Sequence, residues 1–147
     1  MQQAIEDYAL IGDCHSAALV GRNGSIDWLC IPRFDSHSCF AAILGDEDAG
    51  YWKFAPLEPV LSVDRRYRPG TLILETRFET AEGVLLLTDF MPPRTEEMDL
   101  IRLVSCEKAV SRFVWNSAFA LITGRTYLGS VWKRMEREPW PVQIAFS

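Results

Sequence analysis

The chain has 147 residues, 48% apolar and 24% charged, with a formal net charge of −5. That is the balance of one globular domain long enough to bury a core, and its acidity excludes a basic nucleic-acid groove or a cationic membrane patch. No apolar run approaches the roughly 18 residues of a membrane span. The N-terminal "MQQAIEDYAL" lacks a positive leader region, so a cytoplasmic location is expected.

In chain order, the first clear element is "VGRNGSIDWLCIPRFDS". Asn23 and Gly24 both accept the positive φ that a type I′ turn requires, so a hairpin is predicted. Its strands are Ala17–Gly21 and Ser25–Ile31, with Ile26, Trp28 and Cys30 on one face. Pro32 ends the second strand because it has no N–H to donate. A short helix is predicted over Ser38–Leu44, with Asp35 or Ser36 as its cap and Gly45 closing it. "GYWKFAP" reads as a strand. "PVLSVDRRYRPG" is a strand running to a Pro69-Gly70 turn. "TLILETRFET" alternates, with Leu72, Leu74, Thr76 and Phe78 on one face. Ala81–Gly83 makes the next turn. "VLLLTDFMPP" is a more buried strand, and "DLIRLVSCE" a further one. The fold class expected is mostly β, an antiparallel β-sandwich with one short helix.

Chemistry is sparse. Cys14, Cys30, Cys39 and Cys106 form no C-x-x-C pair, and His15 and His37 are the only histidines. No metal or cofactor is expected, and the cysteines read as reduced thiols. Cys14 beside His15 would make a thiol hydrolase only if both side chains converged in a cleft, and neighbours on a strand point to opposite faces. Neither Gly-x-Ser-x-Gly nor a phosphate-binding glycine loop occurs. Asp27 reads as a solvent-facing hairpin residue and Asp35 as a helix cap. Asp13 and Asp89 have no role legible in the sequence. Trp28, Phe34, Tyr51 and Trp52 either form a platform for stacking a sugar or fill the core.

The ordered segments "DYALIGD", "AALV", "NGSIDWLCIPRFDS" and "FAAILG", followed by "GYWKFAP", "RRYRPGTLILETRFET" and "LLLTDFMPPR", resemble the N-terminus of bacterial glucoamylase and trehalase-like enzymes of glycoside hydrolase family fifteen. The resemblance implies the N-terminal β-sandwich that precedes an (α/α)6 catalytic barrel. For the parent enzyme it implies inverting hydrolysis of α-glucosidic bonds, with both catalytic glutamates on the barrel. It implies no catalytic residue in this chain and α-glucoside or trehalose as a partner only through the barrel. Trp28, Arg33, Phe34 and Asp35 are the candidates for an interdomain or cleft-edge surface. Arg33, Phe34 and Asp35 can equally fasten the hairpin to the helix. A free-standing carbohydrate-binding or interaction module is the alternative, and it would need Trp28, Trp52 or Tyr51 exposed on one face.

The resemblance extends to about Glu107. Residues 1–107 carry 18 acids and 9 bases, whereas residues 108–147 carry two acids, six bases and three of the five tryptophans. Where the family would read "RLELRFRFDYG", this chain reads "FVWNSAFALITG". With suitable synonymous codons, the second text read two bases later spells the first. The expectation is an incomplete sandwich over 1–107, a frameshifted tail over 108–147, and an absent barrel. A sandwich cut in this way would expose an edge prone to self-association.

Overall fold

Alternating β-branched, aromatic and leucine residues punctuated by Gly and Pro turns commit this chain to strands. The computed structural model describes residues 3–45, 47–94, 98–108, 113–120 and 126–133, with backbone alone for 47, 107, 108, 113–120 and 126–133. The strands are β1 (Tyr8–Gly12), β2 (Ala17–Gly21), β3 (Ser25–Cys30), β4 (Ser38–Phe40), β5 (Tyr51–Pro56), β6 (Val60–Tyr67), β7 (Leu74–Thr80), β8 (Val84–Phe90), β9 (Ile101–Lys108), β10 (Phe113–Ala120) and β11 (Thr126–Lys133). One sheet runs β1-β2-β3-β5-β10-β11, with β4 sharing the far edge of β3. The other runs β6-β7-β8-β9. Every pairing is antiparallel.

The expected mostly-β architecture is therefore the observed one. The strands predicted from "GYWKFAP" through "DLIRLVSCE" all form, and the turns at Pro69-Gly70 and Ala81–Gly83 close with Arg68 N–Ile73 O and Thr80 N–Gly83 O bonds of 2.9 Å each. Between the sheets lies one core. Ile11, Val20, Ile26, Leu29, Trp52 and Phe54 come from the first sheet, and Leu74, Phe78, Leu85, Leu87 and Val104 from the second. Each such side chain contributes roughly 1.5–3 kcal/mol by leaving water.

Three local expectations are corrected. The helix over Ser38–Leu44 is absent. Ser38–Phe40 pairs with Leu29 and Cys30 as β4, and a turn follows, closed by Leu44 N on Ala41 O at 2.9 Å. Backbone partners on β3 outcompete a single helical turn, which has a costly nucleus. The helical pieces among the described residues are 3-10 turns at Ile5–Asp7 and Glu47–Ala49.

The β2–β3 turn is also not type I′. Its hydrogen bond is Gly24 N to Gly21 O at 2.9 Å, so Arg22 and Asn23 are the central residues. Gly24 alone has positive φ, at 80°. This is a three-residue loop in which glycine takes the left-handed bulge position. A second bulge follows, because Leu19 pairs with Trp28 while Val20 pairs with Ile26. It inserts Asp27 and moves Trp28 off the Ile26 face. Trp28 instead shares the outer face with Leu19 and Leu10.

Asp27, the third correction, is buried rather than solvent-facing. It accepts hydrogen bonds from Ser25 Oγ and from Tyr8 Oη, the latter at 2.7 Å. Burial, and then Asp27 itself, push the Tyr8 hydroxyl well above its usual pKa.

Polar pins join the sheets. Arg102 reaches from β9 across the core and donates to Trp52 O (2.7 Å) and Gly24 O (2.8 Å). At one lateral side Arg65 Nη1 donates to Asp7 O (2.8 Å) and Val20 O (3.1 Å). Beside it, Tyr67 Oη donates to Leu10 O (2.8 Å) and accepts from Leu10 N (3.0 Å). The free edge of β1 is thereby covered by β6, a standard protection for an edge strand.

Candidate functional site

Three loops meet at the end of the sandwich where β3 exits. The β1–β2 turn is built on Asp13, whose Oδ1 accepts the amides of His15 (2.9 Å) and Ser16 (2.7 Å). Such a side-chain-closed turn is a habit of Asp. Cys14 sits in it with φ 72°. Ser16 Oγ then donates to Cys30 O, tying the turn to the end of β3. The chain leaves β3 through a cis Ile31–Pro32 bond. A tight turn follows, with Arg33 N on Ser36 Oγ (3.1 Å) and Ser36 N on Arg33 O (3.1 Å). Phe34 N donates to His15 O at 3.0 Å.

Arg94, from the segment after β8, locks these loops together. Its Nε and Nη2 lie 2.8 and 2.7 Å from Asp13 Oδ2, and its Nη1 donates to Pro32 O. Burial pushes the Asp13 carboxyl up, but the Ser16 and His15 amides and the Arg94 guanidinium outweigh it and hold it below its ordinary value.

On this frame Arg33, Phe34 and Asp35 stand in water. Phe34 is 62% exposed. The Arg33–Asp35 pair forms, at 3.1 Å, with both side chains mostly exposed. A pair so placed contributes about 0–1 kcal/mol to stability. The structure thus brings Arg33, Phe34 and Asp35 together at one loop tip, and Asp35 caps no helix. Trp28 lies apart from them, half-buried on the outer face of β3. The four aromatics divide: Trp52 is fully buried, Tyr51 and Trp28 are half-buried, and Phe34 is exposed.

Cys14 and His15 are exposed on the turn. Burial pushes the Cys30 thiol up and the Cys39 thiol to about 11, with Cys30 adding to the effect at Cys39. Neither thiol is a ready nucleophile near neutral pH. No cluster of three metal-ligating side chains occurs among the described residues. None of their helices is long and apolar enough to cross a membrane.

The residues that organise the molecule and that the sequence concealed are Arg94 and Arg102. Arg94 carries no pattern signal in "MPPR". Arg102 does, because it alternates with Leu100 and Val104 on the core face of β9, opposite Asp89.

Comparison with known proteins places this chain in a defined group. A family model described as "Trehalase-like, N-terminal" matches residues 1–128. The chain is similar to the trehalase of Mycolicibacterium smegmatis, 45% identical over 85 residues, which is 58% of this chain and 13% of that protein. It is 44% identical over 85 residues to the trehalase of Mycobacterium tuberculosis, covering 58% of this chain and 12% of that one. It is 39% identical over 101 residues to trehalase 1 of Sulfolobus acidocaldarius, covering 69% and 17%. The matched segment is thus less than a fifth of these curated relatives. No solved structure matches.

Proposed function

Because this chain belongs to the family of trehalase-like N-terminal domains, we propose that it serves as the non-catalytic β-sandwich of an α-glucoside hydrolase. The reaction, on trehalose or a related glucoside, occurs in an (α/α)6 partner domain. There one carboxylic acid protonates the leaving oxygen and a carboxylate activates water, with inversion.

The observation that carries this reading is the commitment of the domain's own buried acids. An inverting pair needs two available carboxyl groups about 6.5–9.5 Å apart across a substrate. Asp13 and Asp89 are held by arginines, Glu75 by Arg66 and Arg68, and Asp27 by Tyr8 and Ser25. What the domain offers to a neighbour is the Arg94-locked loop end, with Arg33, Phe34 and Asp35 as an interdomain or cleft-edge surface, and, apart from it, Trp28 on the outer face of β3.

A chimera tests this. Residues 1–108 of this chain replace the matching segment of the Mycolicibacterium smegmatis trehalase. Trehalose hydrolysis is retained, and Arg33→Ala or Phe34→Ala lowers kcat/KM without changing the domain's melting. Unchanged kinetics in both variants would remove the loop tip from the function. The abrupt change in charge after Glu107 is read as a shift of frame. Genomic codons for 113–124 that cannot spell "RLELRFRFDYG" two bases later would overturn that reading.

A second reading, a free-standing carbohydrate-binding module, draws on Trp28 and Tyr51, both half-buried and turned away from the core. Quenching of tryptophan fluorescence by maltodextrin or trehalose, lost in Trp28→Ala, would select it.

A further inference from the structure

A groove of about 410 Å³ opens at the other end of β3, between the β2–β3 turn, β5 and β6. Two cations border it. Arg22 is half-exposed and lies 3.4 Å from Asp7, a long ion pair. Lys53, on β5, is half-buried, and no described residue hydrogen-bonds its ammonium. Beside them two amides are held rigidly. Gln3 Nε2 donates to Asn23 Oδ1 at 2.9 Å, and Asn23 N donates to Gln3 Oε1 at 3.1 Å. Asn23 Oδ1 also accepts Ser25 N at 2.9 Å, so its side-chain N–H groups are what that amide has to offer a ligand. Pro56 and Val60 supply an apolar wall, and Val60 is 40% exposed.

These groups select a ligand chemistry. Arg22 and Lys53 together outweigh Asp7 and call for an anion. Fixed amides and a carboxylate suit hydroxyl groups. The apolar wall suits the C–H face of a sugar ring. A bare phosphate would leave the amides and wall unused, and a neutral sugar would leave Lys53 unmatched. The volume lies in the range of ordinary small-molecule sites, roughly 300–1,000 Å³.

We propose that this groove binds a sugar carrying one phosphate. The phosphate sits on Lys53 and Arg22, and the ring hydroxyls meet Asn23 and Asp7. The site is separate from the Arg33–Asp35 loop tip, so its failure would leave the domain's proposed role untouched.

Calorimetric titration of the full chain with glucose 6-phosphate, glucose and inorganic phosphate tests it. Glucose 6-phosphate is expected to bind about tenfold more tightly than either comparator, with affinity falling as salt rises. Lys53→Met and Arg22→Gln each weaken it by about tenfold, the effect of one charge-assisted hydrogen bond. Arg77→Gln, on a surface outside the groove, leaves it unchanged, and all three variants keep the parent's melting temperature. Inorganic phosphate binding as tightly as the sugar phosphate would reduce the groove to a bare anion site and overturn the proposal. So would undiminished binding in Lys53→Met and Arg22→Gln, or no saturable binding by the parent chain.

Discussion

Arg102 on β9 and Asp89 on β8 form a bidentate ion pair that water does not reach, with Nε–Oδ1 at 2.8 Å and Nη2–Oδ2 at 3.1 Å and both side chains wholly buried. The guanidinium lies 5.1 Å from the Trp52 ring centroid and 5.4 Å from that of Phe54. With the carbonyls of Gly24 and Trp52 it has acceptors on both sheets. Burial of two charges is tolerated because the donors facing Asp89 and the two carbonyls are used. Arg102→Met would strand the Asp89 carboxylate in the core and cost about 3–5 kcal/mol. The double variant Arg102→Met/Asp89→Leu removes the stranded charge and should lose less than the single one. Urea unfolding of these two and of Asp89→Leu alone decides this. A double variant that loses the sum of the two single losses would show that the pair is not coupled.

Gly24 is fixed by two independent requirements. Its φ is 80°, and a Cβ there would lie 2.0 Å from Phe54 O. The carbonyl of Gly24 itself accepts from both Arg102 Nη2, at 2.8 Å, and Phe54 N, at 3.0 Å. Gly70 shares only the first requirement, with φ 73° and open space around a Cβ. Gly70→Ala should therefore cost about 1–2 kcal/mol, the left-handed penalty alone. Gly24→Ala should cost clearly more, because backbone has to move. Melting temperatures of the two variants separate the effects, and equal losses would mean that the Phe54 contact yields freely.

The strands were legible where residues alternate between turn signals, as in "TLILETRFET" before Ala81–Gly83. β1 was not, because "YALIG" has neither a turn signal before it nor a clear alternation. The helix over Ser38–Leu44 was misread because an N-cap candidate and a closing glycine are local signals, while pairing with Leu29 and Cys30 is not local. The loop after Pro32 was legible as the end of the hairpin, whereas the exposure of Arg33, Phe34 and Asp35 carried no signal. The loop's frame was hidden, since Asp13 and Arg94 are 81 residues apart. Asp27 was misassigned because the side chain that covers it and donates to it, Tyr8, lies 19 residues away in the chain.

Acid sensitivity follows from Asp13. Its folded pKa is depressed below the ordinary 3.8, so the stability it contributes is fully present above about pH 4 and is lost as pH falls through the folded value. Asp13→Asn keeps the shape but not the charge facing Arg94. It should cost about 2 kcal/mol at pH 7, as hydrogen bonds to a charged group do. The gap between parent and variant should narrow as pH falls from 4 toward 2. Unfolding curves at pH 7 and pH 3 check this, and a gap of constant size would assign the loss to shape and not to charge.

Tyr67 acts as a cover on the free edge of β1. One hydroxyl both accepts from Leu10 N and donates to Leu10 O, at a position where Leu10 is 46% and Tyr67 40% exposed. Water can replace both bonds there, so Tyr67→Phe should cost no more than about 1 kcal/mol globally. Locally the change is larger, since the outward N–H of β1 loses its only protein acceptor among the described residues. Hydrogen exchange at the Leu10 amide should speed up markedly while the Val20 amide, inside the sheet, stays protected. An unchanged Leu10 rate would mean that β1 is held by its pairing with β2 alone and that the bond across the sheets is incidental.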